Sequence, residues 1–101
     1  MTEHAASRPD RAPTHPGAAL ADILLDLNTP KAEIARMMGI SRQHLYDLLA
    51  CRKPVSPEIA VRLGKLLGGG GGAWIRMQAA HDLWQAERSV DTSAIPTIRA
   101  A

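Results

Sequence analysis

The sequence contains no phenylalanine, one tyrosine and two tryptophans among 101 residues, so no core can be assembled around clustered aromatic rings. Hydrophobic residues nevertheless make up 46% of the chain, mostly Leu, Ile, Met and Ala, which favour helices. The expected fold class is therefore all-α. A single cysteine, Cys51, excludes an internal disulfide and any cysteine-cluster metal site. His4, His15, His44 and His81 lie too far apart to form a local ligand set, so no metal and no cofactor is expected. No apolar run approaches the roughly 18 residues of a membrane span, and the N-terminus lacks the apolar stretch of a signal peptide. These absences lead us to expect a soluble, cytoplasmic protein without membrane association. The length suits one domain with a modest core and leaves no room for a second full one.

Charge is modest but unevenly distributed. The net charge is +2 for the whole chain. Residues 31–53 alone carry five cations, Lys31, Arg36, Arg42, Arg52 and Lys53, against two carboxylates, Glu33 and Asp47. A local basic excess of this kind suits a polyanion.

Residues 1–13 are polar, contain proline and lack apolar periodicity, which reads as a disordered tail. Pro16 suits the first position of a helix whose Leu20, Ile23, Leu24 and Leu27 recur on one face. Thr29 and Pro30 supply a cap and a first-turn proline for a second helix, with Ile34, Ala35 and Met38 inward and Gly39 at its exit. Ser41 caps a third helix with Leu45, Leu48 and Leu49 inward. Ser56, Pro57 and Glu58 open a fourth, which turns Ile59, Ala60, Leu63, Leu66 and Leu67 inward. Five consecutive glycines, 68–72, read as a flexible connector, because each glycine inside a helix costs about 1 kcal/mol relative to Ala. A fifth helix is expected from roughly Ala73 to Glu87, followed by a C-terminal tail over 88–101. Its stripe of Trp74, Met77, His81 and Trp84 is wider than one intrachain contact needs, so it is the candidate homodimer surface.

The second and third helices, joined at Gly39, have the form of a helix-turn-helix over residues 30–50. Ala35 is small where the helices cross, Gly39 follows at the turn, and Leu45 anchors the second helix. At about 100° per residue, the pole opposite the buried leucines falls almost on Gln43, with Tyr46 and Asp47 to either side. The amide of Gln43 can pair with the N6/N7 edge of adenine. Arg42 can meet guanine or phosphate, and His44 either base edge. Asp47 has three roles open to it: accepting from a cytosine amino group, pairing with Arg52, or repelling wrong sequences. Ser41 and Tyr46, together with Lys31, Arg52 and Lys53, are the candidate phosphate contacts, although the three cations are equally consistent with ordinary basic loops. Cys51 sits beside two cations but at a helix C-terminus, which disfavours a thiolate, so buried or inert packing is expected. No nucleophile has a convincing base. His81 and Asp82 are adjacent on a helix and point about 100° apart, so an enzyme is not expected.

Four segments together resemble the HigA-type antitoxins, a branch of the Xre, lambda-repressor-like regulators. They are "PTHPG", "EIARMMGISRQHLYDLL", "VSPEIAVRLGKLLG" and "WIRMQAAHDLW", and they span roughly residues 13–87. The resemblance implies a five-helix, dimeric DNA-binding antitoxin that neutralises an mRNA-cleaving toxin of the RelE/HigB-like class and represses its own operon. It also places Ser41, Arg42, Gln43 and His44 where the family contacts DNA. Two departures stand out. Ala18 occupies a position where the family usually has glutamate, and the glycine run replaces a short segment with a polar cap, proline and acid. That run reads either as a tolerated surface loop or as the hinge of a fifth helix ordered by dimerisation. Three functions fit the residues: an autoregulating antitoxin bound to operator DNA and toxin, a stand-alone Xre-type repressor, or a protein-interaction module whose helix-turn-helix is only scaffold.

Overall fold

The computed structural model describes residues 11–99, which places most of the expected N-terminal tail outside the described residues. Five helices follow one another: α1 (Pro16–Leu25), α2 (Lys31–Met38), α3 (Arg42–Leu49), α4 (Pro57–Leu67) and α5 (Gly72–Ser89). No strand occurs among the described residues. Helix α3 packs against α1 and α2, while α4 bridges α2 and α5, so the two helices of the helix-turn-helix are held from behind by the other three.

Four of the expected helix-start signals act locally as read. Pro16 opens α1 and Pro57 opens α4; the Ser41 hydroxyl accepts from the His44 N–H at 3.0 Å, and the Ser56 hydroxyl from that of Ile59 at 3.2 Å. The cap of α1 is His15, whose Nδ1 accepts from the Gly17 N–H at 2.9 Å. Helix α2 starts one residue later than expected: Pro30 is its cap residue and no side chain caps it. The Pro30 carbonyl instead accepts from the N–H groups of Glu33 and Ile34.

The core is aliphatic. Leu20, Ile34, Leu45, Leu48, Val55 and Leu63 are almost wholly buried, together with Ala35, Met38, Ile59 and Ala60. Burying a leucine or isoleucine side chain contributes roughly 1.5–3 kcal/mol, so this cluster is the main source of stability. Ile23 and Leu27, expected on the buried face of α1, are each 38% exposed. The 10-residue helix ends at Leu25, which leaves Leu27 beyond it, and of the four expected residues Leu20 and Leu24 are the ones buried in the core.

The glycine run is not the slack connector expected from its composition. Gly71 caps α5 and Gly72 begins it, so the helix runs further at both ends than the expected Ala73–Glu87. The run also packs closely. A Cβ on Gly64 would lie 2.2 Å from the Gly70 carbonyl carbon, and one on Gly71 would lie 2.9 Å from the Ala60 backbone. Residues without side chains let the returning chain press directly on α4, which holds α5 against the core.

A tighter crossing locates α3. A Cβ on Gly17 would fall 1.8 Å from the Leu48 carbonyl oxygen, a backbone atom that cannot rotate away. Gly17→Ala should therefore push α1 off α3 and destabilise the domain by at least about 1–3 kcal/mol, the usual range for overpacking. The expected readout is a fall in Tm of about 5 °C or more. An unchanged melting curve would show that α1 does not set the position of α3.

Candidate nucleic-acid interface

The helix-turn-helix is built from two eight-residue helices, each too short to persist alone. Gly39 makes the turn with φ +73°, a left-handed conformation that glycine adopts without steric penalty. Arg62 on α4 reaches across and donates from Nη1 to the Met38 carbonyl at 2.7 Å, satisfying a free carbonyl at the end of α2. Its Nη2 binds Glu58 at 2.9 Å. A side chain at residue 39 would collide with this guanidinium, so the turn and its strap require each other.

With Leu45 and Leu48 fully buried, the opposite face of α3 is presented to solvent. Arg42 and Gln43 are exposed, His44 is half-buried, and Tyr46 is exposed. Ser41 is exposed at the cap, Lys31 is exposed at the first position of α2, and Arg36 pairs with Glu33 on the same helix. Lys31, Ser41, Arg42, Gln43, Arg52 and Lys53 are thus all accessible around α2, α3 and the loop that follows.

Asp47 is engaged within the chain. Its Oδ1 accepts from Gln43 Nε2 at 3.0 Å and from Arg52 Nε and Nη2 at 3.1 and 2.9 Å. Lys53 Nζ lies 3.7 Å from Oδ2. The hydrogen bonds from Arg52 above all, then that from Gln43, with both neighbouring cations adding to them, hold the carboxyl below the usual carboxylate range. Of the three roles open to Asp47 in the sequence, pairing with Arg52 is the one this arrangement contains.

The loop geometry explains how the pair forms. Cys51 has φ +62°, and the Arg52 N–H donates to the Asp47 carbonyl while the Cys51 N–H donates to that of Leu48. This is a Schellman-type helix end, which folds residues 52 and 53 back over the last turn of α3. Cys51 is exposed there, and not buried as expected. The sequence offered no glycine to signal this turn.

Two positioning residues escaped the sequence reading. Gln78, 7% exposed on α5, accepts from the Val55 N–H at 2.7 Å and donates to Asp82 at 2.9 Å. It satisfies the buried backbone of the loop that leaves α3, and a polar residue four positions after Trp74 on the same apolar stripe was its signal. Arg62 left no signal in local pattern, because its bond to Met38 spans 24 residues.

The candidate dimer stripe divides. Trp74, 8% exposed, belongs to the chain's own core, since the close packing of the glycine run turns the start of α5 inward. His81 packs its ring at 5.0 Å against His15, and its Nδ1 contacts the Pro13 carbonyl at 2.9 Å, so it ties down the segment before α1. Met77 and Trp84 remain half-buried, beside an exposed Leu83. Among the described residues, no group of three or more His, Cys, Asp or Glu side chains converges to hold a metal, and no helix is long and apolar enough to cross a membrane.

No protein-family model matches the chain. An HTH-type transcriptional regulator of Escherichia coli K12, YddM, is 32% identical over 80 residues, covering 79% of this chain and 85% of the relative. A solved structure described as a putative antidote protein of a plasmid maintenance system, from Nostoc punctiforme, is 39% identical. It superimposes with a TM-score of 0.75 over 78% of this chain and 87% of its own. The chain belongs to the helix-turn-helix transcriptional regulators. The antitoxin GraA, solved in complex with its operator, shares the fold with a TM-score of 0.77 at 26% identity, over 93% of this chain and 96% of its own. These relatives are regulators and antitoxins, not enzymes.

The His15 cap carries a pH dependence. Partial burial, with the neighbouring His81 adding to it, lowers the His15 pKa below its ordinary 6.5, while Asp82 opposes the shift. A group whose folded-state pKa is lowered contributes stability that is complete above the unfolded value and is lost as pH falls towards the folded one. Protonation at Nδ1 also removes the acceptor that caps Gly17. Thermal melts at about pH 7.5 and about pH 5.5 should therefore show a lower Tm at the acidic value. His15→Asn, which caps without titrating, should narrow that difference; an equal difference in the variant would remove His15 as its source.

Proposed function

We propose that this protein is a sequence-specific DNA-binding antitoxin of a two-component toxin-antitoxin module, which represses its own operon and neutralises an mRNA-cleaving toxin by direct binding. The observation that carries the DNA-binding part is the outward face of α3, where Gln43 stands exposed opposite two fully buried leucines, with exposed Arg42 on its flank. Side chains so placed reach base edges when the helix enters a major groove. Arg42, Gln43 and His44 read bases in this scheme. Lys31, Ser41, Tyr46, Arg52 and Lys53 meet phosphates, which sets affinity and register but not sequence. Likeness to the Nostoc antidote protein and to operator-bound GraA supports the assignment.

The partners follow from the same reading: double-stranded operator DNA, a RelE/HigB-like toxin, and a second copy of this chain, acting in the cytoplasm at the nucleoid. Two-fold pairing would set two recognition helices about 34 Å apart, in successive major grooves. The outer half of α5 supports pairing. Leu83 and Val90 are 60% and 57% exposed, and the indole N–H of Trp84 is buried without a hydrogen-bond partner among the described residues. A second function, a stand-alone repressor without a toxin, is favoured by the regulator YddM.

Two measurements test these assignments. A gel shift on the DNA upstream of the protein's own reading frame should show retardation, and co-expression with an adjacent frame encoding a small basic protein should yield a stable pair. Retardation without any such pair would favour the stand-alone repressor; a pair without retardation would leave only a protein-interaction module. In the same gel shift, Gln43→Ala should keep the fold and lose roughly 1–3 kcal/mol of discrimination at one base position. Unchanged affinity for every single-base operator variant would remove Gln43 from the reading face.

A further inference from the structure

Asp47 is the acceptor around which the recognition surface is arranged, and its chemistry determines how Gln43 is presented. An ionised carboxylate only accepts, so the Gln43 amide must turn its nitrogen towards Oδ1, at 3.0 Å; the flipped amide would set two oxygens against each other. One amide N–H is thereby used inside the chain. One N–H and the carbonyl oxygen remain for a ligand. A free glutamine amide can donate twice, to the O6 and N7 of guanine, or donate and accept, to the N7 and N6 of adenine. A glutamine with one N–H already engaged matches only the second pattern.

The same carboxylate holds two cations. Arg52 donates twice to Oδ1 and Lys53 stands 3.7 Å from Oδ2, while the Asp47 side chain itself is only 14% exposed beneath them. The left-handed Cys51 and the backbone bond from Arg52 to the Asp47 carbonyl fix this return of the chain. Cations so held give less of their charge to phosphates on any DNA they meet, because binding a phosphate must compete with an existing ion pair.

We propose that Asp47 contacts no base but is the positioning residue of the reading face, orienting the Gln43 amide for adenine and withholding Arg52 and Lys53 from non-target DNA. This rests on the DNA-binding function proposed above. It makes Asp47 a determinant of specificity whose removal strengthens binding to the wrong sequences.

The test uses the full chain as wild type, Asp47→Ala and Asp47→Asn, with fluorescence anisotropy across a salt series. The probes are the duplex upstream of the protein's own reading frame and an unrelated duplex of equal length. Wild type should prefer the upstream duplex; equal binding to both, or none, overturns the DNA-binding function itself, before Asp47 is considered. Given that preference, Asp47→Ala should bind the unrelated duplex several-fold more tightly at low salt. The slope of log K against log salt should steepen by about 1 to 2, since each further phosphate neutralised adds about 0.9. The ratio between the two duplexes should fall about tenfold, the size of one base contact. Asp47→Asn, which keeps the shape but not the charge, should reproduce the steeper slope. Adding Arg52→Gln to either variant should bring the slope back towards that of wild type. If Asp47 only stabilised the end of α3, both duplexes would bind more weakly in step with a lower Tm, and the salt slope would not steepen; that pattern, or an unchanged slope and ratio, overturns the proposal.

Discussion

The whole arrangement depends on burying Leu45 and Leu48. An eight-residue helix in isolation is marginal in water, because nucleation is unfavourable and few hydrogen bonds follow it. Helix α3 exists because these two leucines, both at 0% exposure, are covered by α1 and α2. Everything else about the helix is a consequence of that contact. With the leucines inward, Gln43 must point outward, since its direction is set by the 3.6-residue turn and not by any bond of its own. The remaining polar links refine position more than they add stability. Arg62 fixes the turn through Met38, Gln78 fixes the exit through Val55, and Gly17 lets α1 approach the Leu48 carbonyl without an intervening side chain.

Three residues of the helix-turn-helix sit against the helix dipoles. A helix N-terminus carries partial positive charge and a C-terminus partial negative charge, so acids favour the first turn and bases the last. Here Lys31 occupies the first position of α2 and Arg42 the first position of α3, while Asp47 lies in the last turn of α3. Each placement is mildly unfavourable by itself. Helix α2 also carries Glu33 in its first turn and Arg36 in its last, as the rule favours, and α4 carries Glu58 and Lys65 in the same places. Asp47 offsets its own misplacement by drawing Arg52 and Lys53 to the same end, so the helix regains a positive neighbour where its dipole favours one.

Most of this was legible in the sequence, and the reasons are specific. Ser41 and Ser56 announce their caps, Gly39 announces its turn, and the spacing of Leu45 and Leu48 sets the outward pole by geometry alone. What was misread involved glycines, or residues in roles glycine usually takes. The run at 68–72 looked slack because composition reports what glycine permits, whereas here Gly68, Gly69 and Gly70 take positive φ and Gly71 lies too close to the α4 backbone for a side chain. Cys51 is exposed, which removes the buried half of its expected buried-or-inert packing, and its left-handed backbone sits where glycine is the usual signal. Trp74 looked like a surface anchor because the periodicity of α5 cannot tell which of its apolar faces meets the chain's own core. Gln78 and Arg62 act across 23 and 24 residues, separations that local pattern does not reach.

The weak overall charge bears on how such a protein would discriminate among sequences. Binding to any DNA scales with the number of phosphates neutralised, and a strongly basic protein holds wrong sequences nearly as well as right ones. This chain has a net charge of only +2, and two of the cations nearest its reading helix are already paired with Asp47. On the function proposed above, this pairing would keep its non-specific affinity low. Affinity for a target must come from contacts that a wrong sequence cannot make, and the exposed amide of Gln43 is placed to make one. The ion pair at the end of α3 thus opposes tight binding in general, and through that opposition favours selective binding.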